Sequence, residues 1–175
     1  MRIVAGDLRG RRLASPATAA TRPTTDRVRE AVFNALGSLD VVVDARVADL
    51  YAGSGALGFE ALSRGAAFCT FVERDREALS AIEENRAALG VRDRSRVKSG
   101  DALRMVGSID AELVFADPPY DFGAWPALLA ALPESVRLVV AEAGAEVIGG
   151  LGWISTRSKR YGRTWVTFLE RAERE

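Results

Sequence analysis

Asp49-Leu50-Tyr51-Ala52-Gly53-Ser54-Gly55-Ala56-Leu57-Gly58 decides the fold of this chain. Residues 46–51 read as a buried strand, and residues 55–64 as a helix that Gly65 ends. Between them Gly53 and Gly55 allow a tight turn and a close approach of backbone to ligand, while Gly58 lets the helix pack on its strand. Strand, glycine-rich turn and helix in that order open a doubly wound α/β sheet. Taken alone, the glycine pattern also serves enzymes that bind dinucleotides.

Outward from this unit, strands and helices keep alternating. Residues 67–73 form a second apolar strand, and Arg76–Leu89 a helix with Leu79, Ile82 and Leu89 inward and Gly90 as its stop. Ser95–Ser99, Leu113–Ala116 and residues 136–141 supply three more strands. Such alternation predicts a parallel sheet with right-handed crossovers. Upstream, Thr24 or Thr25 caps a helix whose apolar positions Val28, Ala31, Val32, Ala35, Leu36 and Leu39 form one stripe, with Asp26 in the first turn. The two ends differ in character. Residues 2–13 read as a short hairpin closed near Gly6 and Gly10, with Arg9, Arg11 and Arg12 exposed, followed by a small-residue arm to residue 21. At the other end, residues 153–157 and 164–169 flank a basic tip, residues 158–162, as an antiparallel hairpin. The organisation expected is an N-terminal extension over residues 1–21 and one catalytic domain over residues 22–175.

Asp117-Pro118-Pro119-Tyr120 carries the chemistry. It follows the strand Leu113–Ala116, at the sheet edge where open α/β folds bind ligands. A carboxylate and the fixed carbonyl of Pro118 can accept both hydrogens of an exocyclic amine, and Tyr120 can stack on its base. Three further carboxylates fall at carboxyl ends of successive strands: Asp49, Glu73 and Asp101. Glu73, 24 residues after Asp49, suits ribose hydroxyls, and Asp101 suits an adenine amine. Asp49 before the glycines repels a pyrophosphate and attracts an ammonium. S-adenosylmethionine is therefore the expected cofactor.

Composition narrows the chemistry further. The chain has 175 residues and no histidine, which excludes Ser-His-Asp and Cys-His catalysis and any histidine-built metal centre; no metal is expected. Cys69, the lone cysteine, lies in an apolar strand and fits a reducing compartment. Met1-Arg2-Ile3-Val4-Ala5-Gly6 lacks an apolar leader, and no run approaches the roughly 18 residues of a membrane span, so a cytoplasmic location with no membrane partner is expected. Net charge is zero but unevenly placed. Residues 1–35 hold seven basic and three acidic side chains, residues 36–150 eleven and eighteen, and residues 151–175 six and three. Basic ends on an acidic middle suit a polyanion gripped by the termini.

The glycine loop, Glu73, Asp101 and Asp117–Tyr120 resemble the class I S-adenosylmethionine-dependent methyltransferases. More narrowly, four stretches resemble the RsmD family of bacterial guanine-N2 methyltransferases of 16S ribosomal RNA: residues 2–6 with 10–13, residues 22–34, residues 49–60 and residues 115–120. The resemblance implies a Rossmann-like, seven-stranded, mostly parallel sheet whose last strand is inserted antiparallel, behind an N-terminal β-hairpin. It implies that Arg22, Thr24 and Thr25 approach the methionine end of the cofactor. Tyr51, Gly53, Ser54 and Gly55 would line it, Glu73 and Arg74 would meet its ribose, and Asp101 and Ala102 its adenine. Asp117, Pro118, Pro119 and Tyr120 would hold the target amine, with Asp117 touching cofactor as well. RNA contacts are expected from Arg9, Arg11 and Arg12 on the first hairpin and Lys159, Arg160 and Arg163 on the last. The partner implied is 16S rRNA within an assembled or partly assembled 30S subunit, met by a monomer. Adenine-N6 DNA methyltransferases also favour this tetrapeptide, though they usually add a recognition domain for which this chain has no room. A dinucleotide oxidoreductase leaves Asp117–Tyr120 and Asp49 unexplained, and a non-catalytic RNA chaperone would bind RNA without methyl transfer.

Overall fold

The computed structural model describes residues 1–16 and 25–173. Arg22 and Thr24, both expected near the cofactor, lie outside the described residues. The strands are β1 (Arg46–Leu50), β2 (Phe68–Glu73), β3 (Ser95–Ser99), β4 (Leu113–Ala116), β5 (Leu138–Ala143), β6 (Trp153–Tyr161) and β7 (Thr164–Arg171). The helices are α1 (Asp26–Leu39), α2 (Ala56–Ser63), α3 (Arg76–Leu89), α4 (Ala102–Met105) and α5 (Trp125–Ala131).

One seven-stranded sheet has the order β3-β2-β1-β4-β5-β7-β6. The pairs β1–β2, β1–β4, β2–β3 and β4–β5 are parallel, and β7 is antiparallel to both β5 and β6. The last strand is thus inserted antiparallel, as the resemblance implied. Alternation along each strand splits the interior into two layers. Val47, Phe71, Phe115, Val140 and Phe168 face α1, α2 and α3, whereas Ala48, Val72, Val114, Val139 and Leu169 face α4 and α5. Phe33 of α1 stacks obliquely on Phe115 at 5.4 Å and seats that helix over β4. Of the predicted stripe, Val28, Val32, Ala35 and Leu36 are buried, but Leu39 at the last turn is exposed and Phe33 and Arg29 join the buried face instead. The helix is capped by Thr25, whose hydroxyl accepts the Val28 N–H at 3.3 Å.

The N-terminal hairpin forms with a single antiparallel bridge, Arg2 to Arg12, across which the Leu13 N–H donates to the Met1 carbonyl and the Ile3 N–H to the Arg11 carbonyl, both at 3.0 Å. It is held from outside as well. The fully buried Glu60 of α2 accepts the Val4 and Ala5 N–H groups at 2.8 and 3.0 Å and the Arg64 Nε at 2.9 Å, with the buried Arg29 of α1 at 3.3 Å. The C-terminal hairpin is longer than predicted, because residues 158–161 remain paired to β7 and the turn falls after Tyr161. The fifth strand starts two residues late. Val136 N–H is turned back to the Pro133 carbonyl, so the β4 pairing begins at Leu138 opposite Leu113.

Candidate functional site

β1 and β4 are neighbours whose connections leave on opposite faces of the sheet, so the crevice between their carboxyl ends is the switch point at which such sheets bind ligands. The Asp117 N–H donates to the Leu50 carbonyl at 3.4 Å, which carries the pairing one residue past β4.

On the β1 side the chain turns through positive φ at Tyr51 (58°), Gly53 (56°) and Gly55 (79°). Tyr51 pays a conformational cost that glycine would not, a feature found where function fixes the backbone. A Cβ on Gly55 would lie 2.6 Å from Phe59 Cε2, and one on Gly58 2.4 Å from Phe71 Cε1 and 2.6 Å from Cys69 Sγ. These glycines serve packing, as predicted for Gly58. Gly53 differs: no atom lies within 4 Å of a Cβ placed there, so its backbone borders open space. Glu73 fixes this loop, with Oε2 accepting the Gly53 N–H at 2.8 Å and Oε1 accepting Arg74 and Asp75 N–H at 2.7 and 2.9 Å. A carboxylate offers about four acceptor positions, so ribose contact remains compatible with these three bonds. Asp49 is 2% exposed and its Oδ2 accepts the Gly58 N–H at 2.9 Å. Its observed bond thus stiffens α2 against β1. Burial raises its carboxyl well above the ordinary range, and the nearby Asp117 and Glu73 charges add to that rise.

Beyond Glu73 lies an aromatic wall. Tyr51 meets Phe122 edge-on at 5.5 Å, and Phe122 meets Trp125 at 5.3 Å and 90°. Burial, then Asp101, pushes the Tyr51 hydroxyl up to about 12. Asp101 caps α4 by accepting the Arg104 N–H at 3.1 Å and sits 3.7 Å from Arg74 Nη1; Ala102 follows it, 3% exposed. The Ser54 carbonyl accepts Asn85 Nδ2 at 3.1 Å, and the same buried amide holds both the N–H and the carbonyl of Ala14 at 2.7 and 3.0 Å. Asn85 therefore ties the arm to the glycine loop. Its signal in the sequence is a polar residue on the inward stripe of α3, between Ile82 and Leu89.

On the β4 side a cleft of about 1160 Å³ is bounded by Asp117, Pro118, Pro119 and Tyr120, by Thr25 and Val28 of α1, and by Lys159, Arg160 and Arg163 of the last hairpin. Tyr120 is 60% exposed, its ring lies across Gly144, and its hydroxyl bonds Thr164 Oγ1 at 2.9 Å. This leaves one ring face ready for stacking. Desolvation by burial pushes the Asp117 carboxyl up to about 7. Arg27, Glu142 and Thr164 also line the cleft and were not among the expected site residues. The two basic groups separate here. Lys159, Arg160 and Arg163 reach the cleft, but Arg9, Arg11 and Arg12 do not line it. The Arg11 guanidinium donates to the Ala88 carbonyl at the end of α3.

The family model described as "Conserved hypothetical protein 95" matches residues 1–170. The chain belongs to that family. Ribosomal RNA small subunit methyltransferase D of Escherichia coli strain K12 is 44% identical over 125 residues, covering 70% of this chain and 62% of that protein. The protein of the same name from Haemophilus influenzae is 31% identical over 174 residues, 93% of this chain and 89% of its own length. The solved structure of yhhF from Escherichia coli superposes with a TM-score of 0.86 at 35% identity and covers 99% of both chains. This member of the Conserved hypothetical protein 95 family is accordingly an RsmD-type methyltransferase.

Proposed function

We propose that the protein transfers a methyl group from S-adenosylmethionine to the exocyclic N2 amine of a guanine in 16S rRNA, presented in an assembled or partly assembled 30S subunit. The observation that carries this reading is the junction of two features at one sheet edge: an acidic, glycine-turned crevice beside β1 and a cation-rimmed cleft around Asp117–Tyr120. Burial and then the neighbouring Asp117 and Glu73 charges raise the Asp49 carboxyl there, a field that suits a cationic ligand and disfavours a pyrophosphate. A dinucleotide is the poorer fit. Relatives named as small-subunit rRNA methyltransferases support RNA as the acceptor over DNA adenine.

S-adenosylmethionine, when bound, supplies an electrophilic methyl on a positively charged sulfur. Gly53 and Tyr51 would lie along it, Glu73 would meet its ribose, and the Tyr51–Phe122–Trp125 wall would cover its adenine. The guanine N2 amine is a poor nucleophile because its lone pair is delocalised into the ring. Asp117 and the Pro118 carbonyl each accept one N–H, which turns the lone pair out of conjugation and toward the crevice. Alignment of this kind supplies up to about 7–11 kcal/mol of a barrier. Tyr120 stacks on the base, which must leave its surroundings to arrive. Once the N–C bond has formed, the nitrogen is strongly acidic and its proton passes to Asp117 or water. No histidine is required, and the chain has none. The decisive assay is tritiated methyl transfer to unmodified small subunits, naked small-subunit RNA and duplex DNA, with the product nucleoside identified by mass spectrometry. N2-methylguanosine on subunits or their RNA is expected; N6-methyladenine in DNA would overturn the substrate.

A further inference from the structure

A base that reaches Asp117 leaves its own flanking phosphates at the rim of the cleft, because the backbone follows it only part of the way in. That rim carries cations on two separate elements. Lys159, Arg160 and Arg163 stand at the tip of the β6–β7 hairpin, and Arg27 stands in the first turn of α1. Below the cleft, Ala31, Val32 and Ala35 of α1 border a narrow crevice with Lys159, Tyr161 and Val166, so helix and hairpin converge there and part toward the rim. Arg27 is exposed, and among the described residues its guanidinium has neither an ion pair nor a hydrogen bond. Asp26, the acid of the same turn, pairs with Arg29 at 2.9 Å. A cation in the first turn of a helix also opposes the helix dipole, so the charge of Arg27 gains α1 no stability. At about 1160 Å³, the cleft is larger than the roughly 300–1,000 Å³ of small-ligand pockets and has room for backbone beside the base.

We infer that Arg27 holds a backbone phosphate of the RNA on one side of the target nucleotide, while the hairpin tip holds a phosphate on the other. This rests on the guanine-N2 reading above and adds a positioning residue to it. One anchored phosphate leaves the strand free to pivot. Two anchors on separate elements fix its register and orientation, so the base is delivered to Asp117 and Tyr120 along one path. A guanidinium suits this task, since its planar fork meets two phosphate oxygens at once and stays charged at every working pH. Such a contact reads no base. Arg27 thus serves approach, and the acceptors at Asp117 and Pro118 serve the amine.

The test uses small subunits whose RNA carries single methylphosphonate linkages, placed by splinted ligation around the target guanine mapped first with the unaltered enzyme. Each such linkage removes one backbone charge. Neutralising one phosphate should cost the unaltered enzyme about 10-fold in kcat/KM, the scale of one charge-assisted hydrogen bond, and cost Arg27→Ala nothing further. A second phosphate, on the other side of the target, should instead fall silent in the triple change of Lys159, Arg160 and Arg163 to Ala. On subunits without the linkage, Arg27→Ala should raise KM about 10-fold and leave kcat within about 3-fold, the pattern of a lost binding contact. Its slope of log affinity against log salt should flatten by about 0.7, and Arg27→Lys, which keeps the charge, should recover most of that slope. Cofactor affinity, measured by calorimetry, should stay within about 3-fold in both, which separates a lost RNA contact from a damaged fold. An unchanged KM in Arg27→Ala, or no phosphate that this variant renders silent, would overturn the inference while leaving the guanine-N2 reading intact. The same phosphate falling silent in both variants would overturn the two-sided grip. Absence of N2-methylguanosine with the unaltered enzyme on unsubstituted subunits would overturn both inference and reading.

Discussion

At the residue scale the account turns on Asp117 and Tyr120. Asp117 must be ionised to accept the amine N–H, and burial pushes its carboxyl up to about 7. The kcat/KM for methyl transfer should therefore fall about tenfold per pH unit below 7 and level off above it. A flat profile between pH 5.5 and 8 would contradict this role. The same shift has a stability sign. The folded carboxyl binds its proton more tightly than the ordinary value of 3.8, so folding loses stability as pH rises from about 4 through 7. Asp117→Asn removes the ionisable group. It should abolish turnover yet unfold at higher denaturant than the unaltered enzyme at pH 8, by on the order of 1–3 kcal/mol, with the gain gone near pH 4. Tyr120→Ala should cost about 1–3 kcal/mol in kcat/KM through lost stacking. Tyr120→Phe, which loses only the Thr164 bond, should stay within a few-fold. That these residues would line the cleft was legible in the sequence because they follow the apolar strand Leu113–Ala116, at the sheet edge where such folds bind ligands. That Glu142 would join them was not: one acid at the end of a strand gives no sign that its neighbour in space is Asp117.

At the element scale, Gly58 sets how closely α2 lies on β2. Gly-to-Ala in a helix ordinarily gains about 1 kcal/mol of propensity. Here the new methyl would sit 2.4 Å from a buried Phe71 carbon, so overpacking wins. Gly58→Ala should destabilise by about 1–3 kcal/mol, read by urea unfolding. Glu60 organises the N-terminal loop, α1 and α2 from a fully buried position. Glu60→Leu leaves Arg29 without its buried partner and should cost roughly 3–5 kcal/mol, with amide exchange rising first at Val4 and Ala5. The strand order and the three longer helices were readable, since a short apolar run buried on both faces, such as Phe68–Glu73, differs from a 3.6-period stripe closed by a glycine, such as Arg76–Leu89; the short α4 and α5 gave no such stripe. The hairpin ends were not. Polar residues at 158–161 look like a turn, but pairing with the buried face of β7 keeps them in the sheet. Residues 2–12 close as the hairpin the sequence suggests, but nothing in the sequence shows that Glu60 and Ser63, distant along the chain, also hold it.

At the scale of the whole molecule, the basic termini of the sequence resolve into two different surfaces. Lys159, Arg160 and Arg163 rim the cleft with Arg27, whereas residues 2–12 pack against the ends of α2 and α3. Charge counting along the chain shows the excess but not its division. If the cleft rim grips RNA, each neutralised phosphate contributes about 0.7 to the slope of log affinity against log salt. The triple change of Lys159, Arg160 and Arg163 to Ala should flatten that slope by about 2, and the triple change of Arg9, Arg11 and Arg12 by less. Equal effects would place the first loop on the RNA as well. The most direct measurement remains the nucleoside product. Incubation with labelled S-adenosylmethionine and unmodified small subunits should yield N2-methylguanosine at one position, and none with Asp117→Asn. Label on adenine, or undiminished guanine label in Asp117→Asn, would contradict the account.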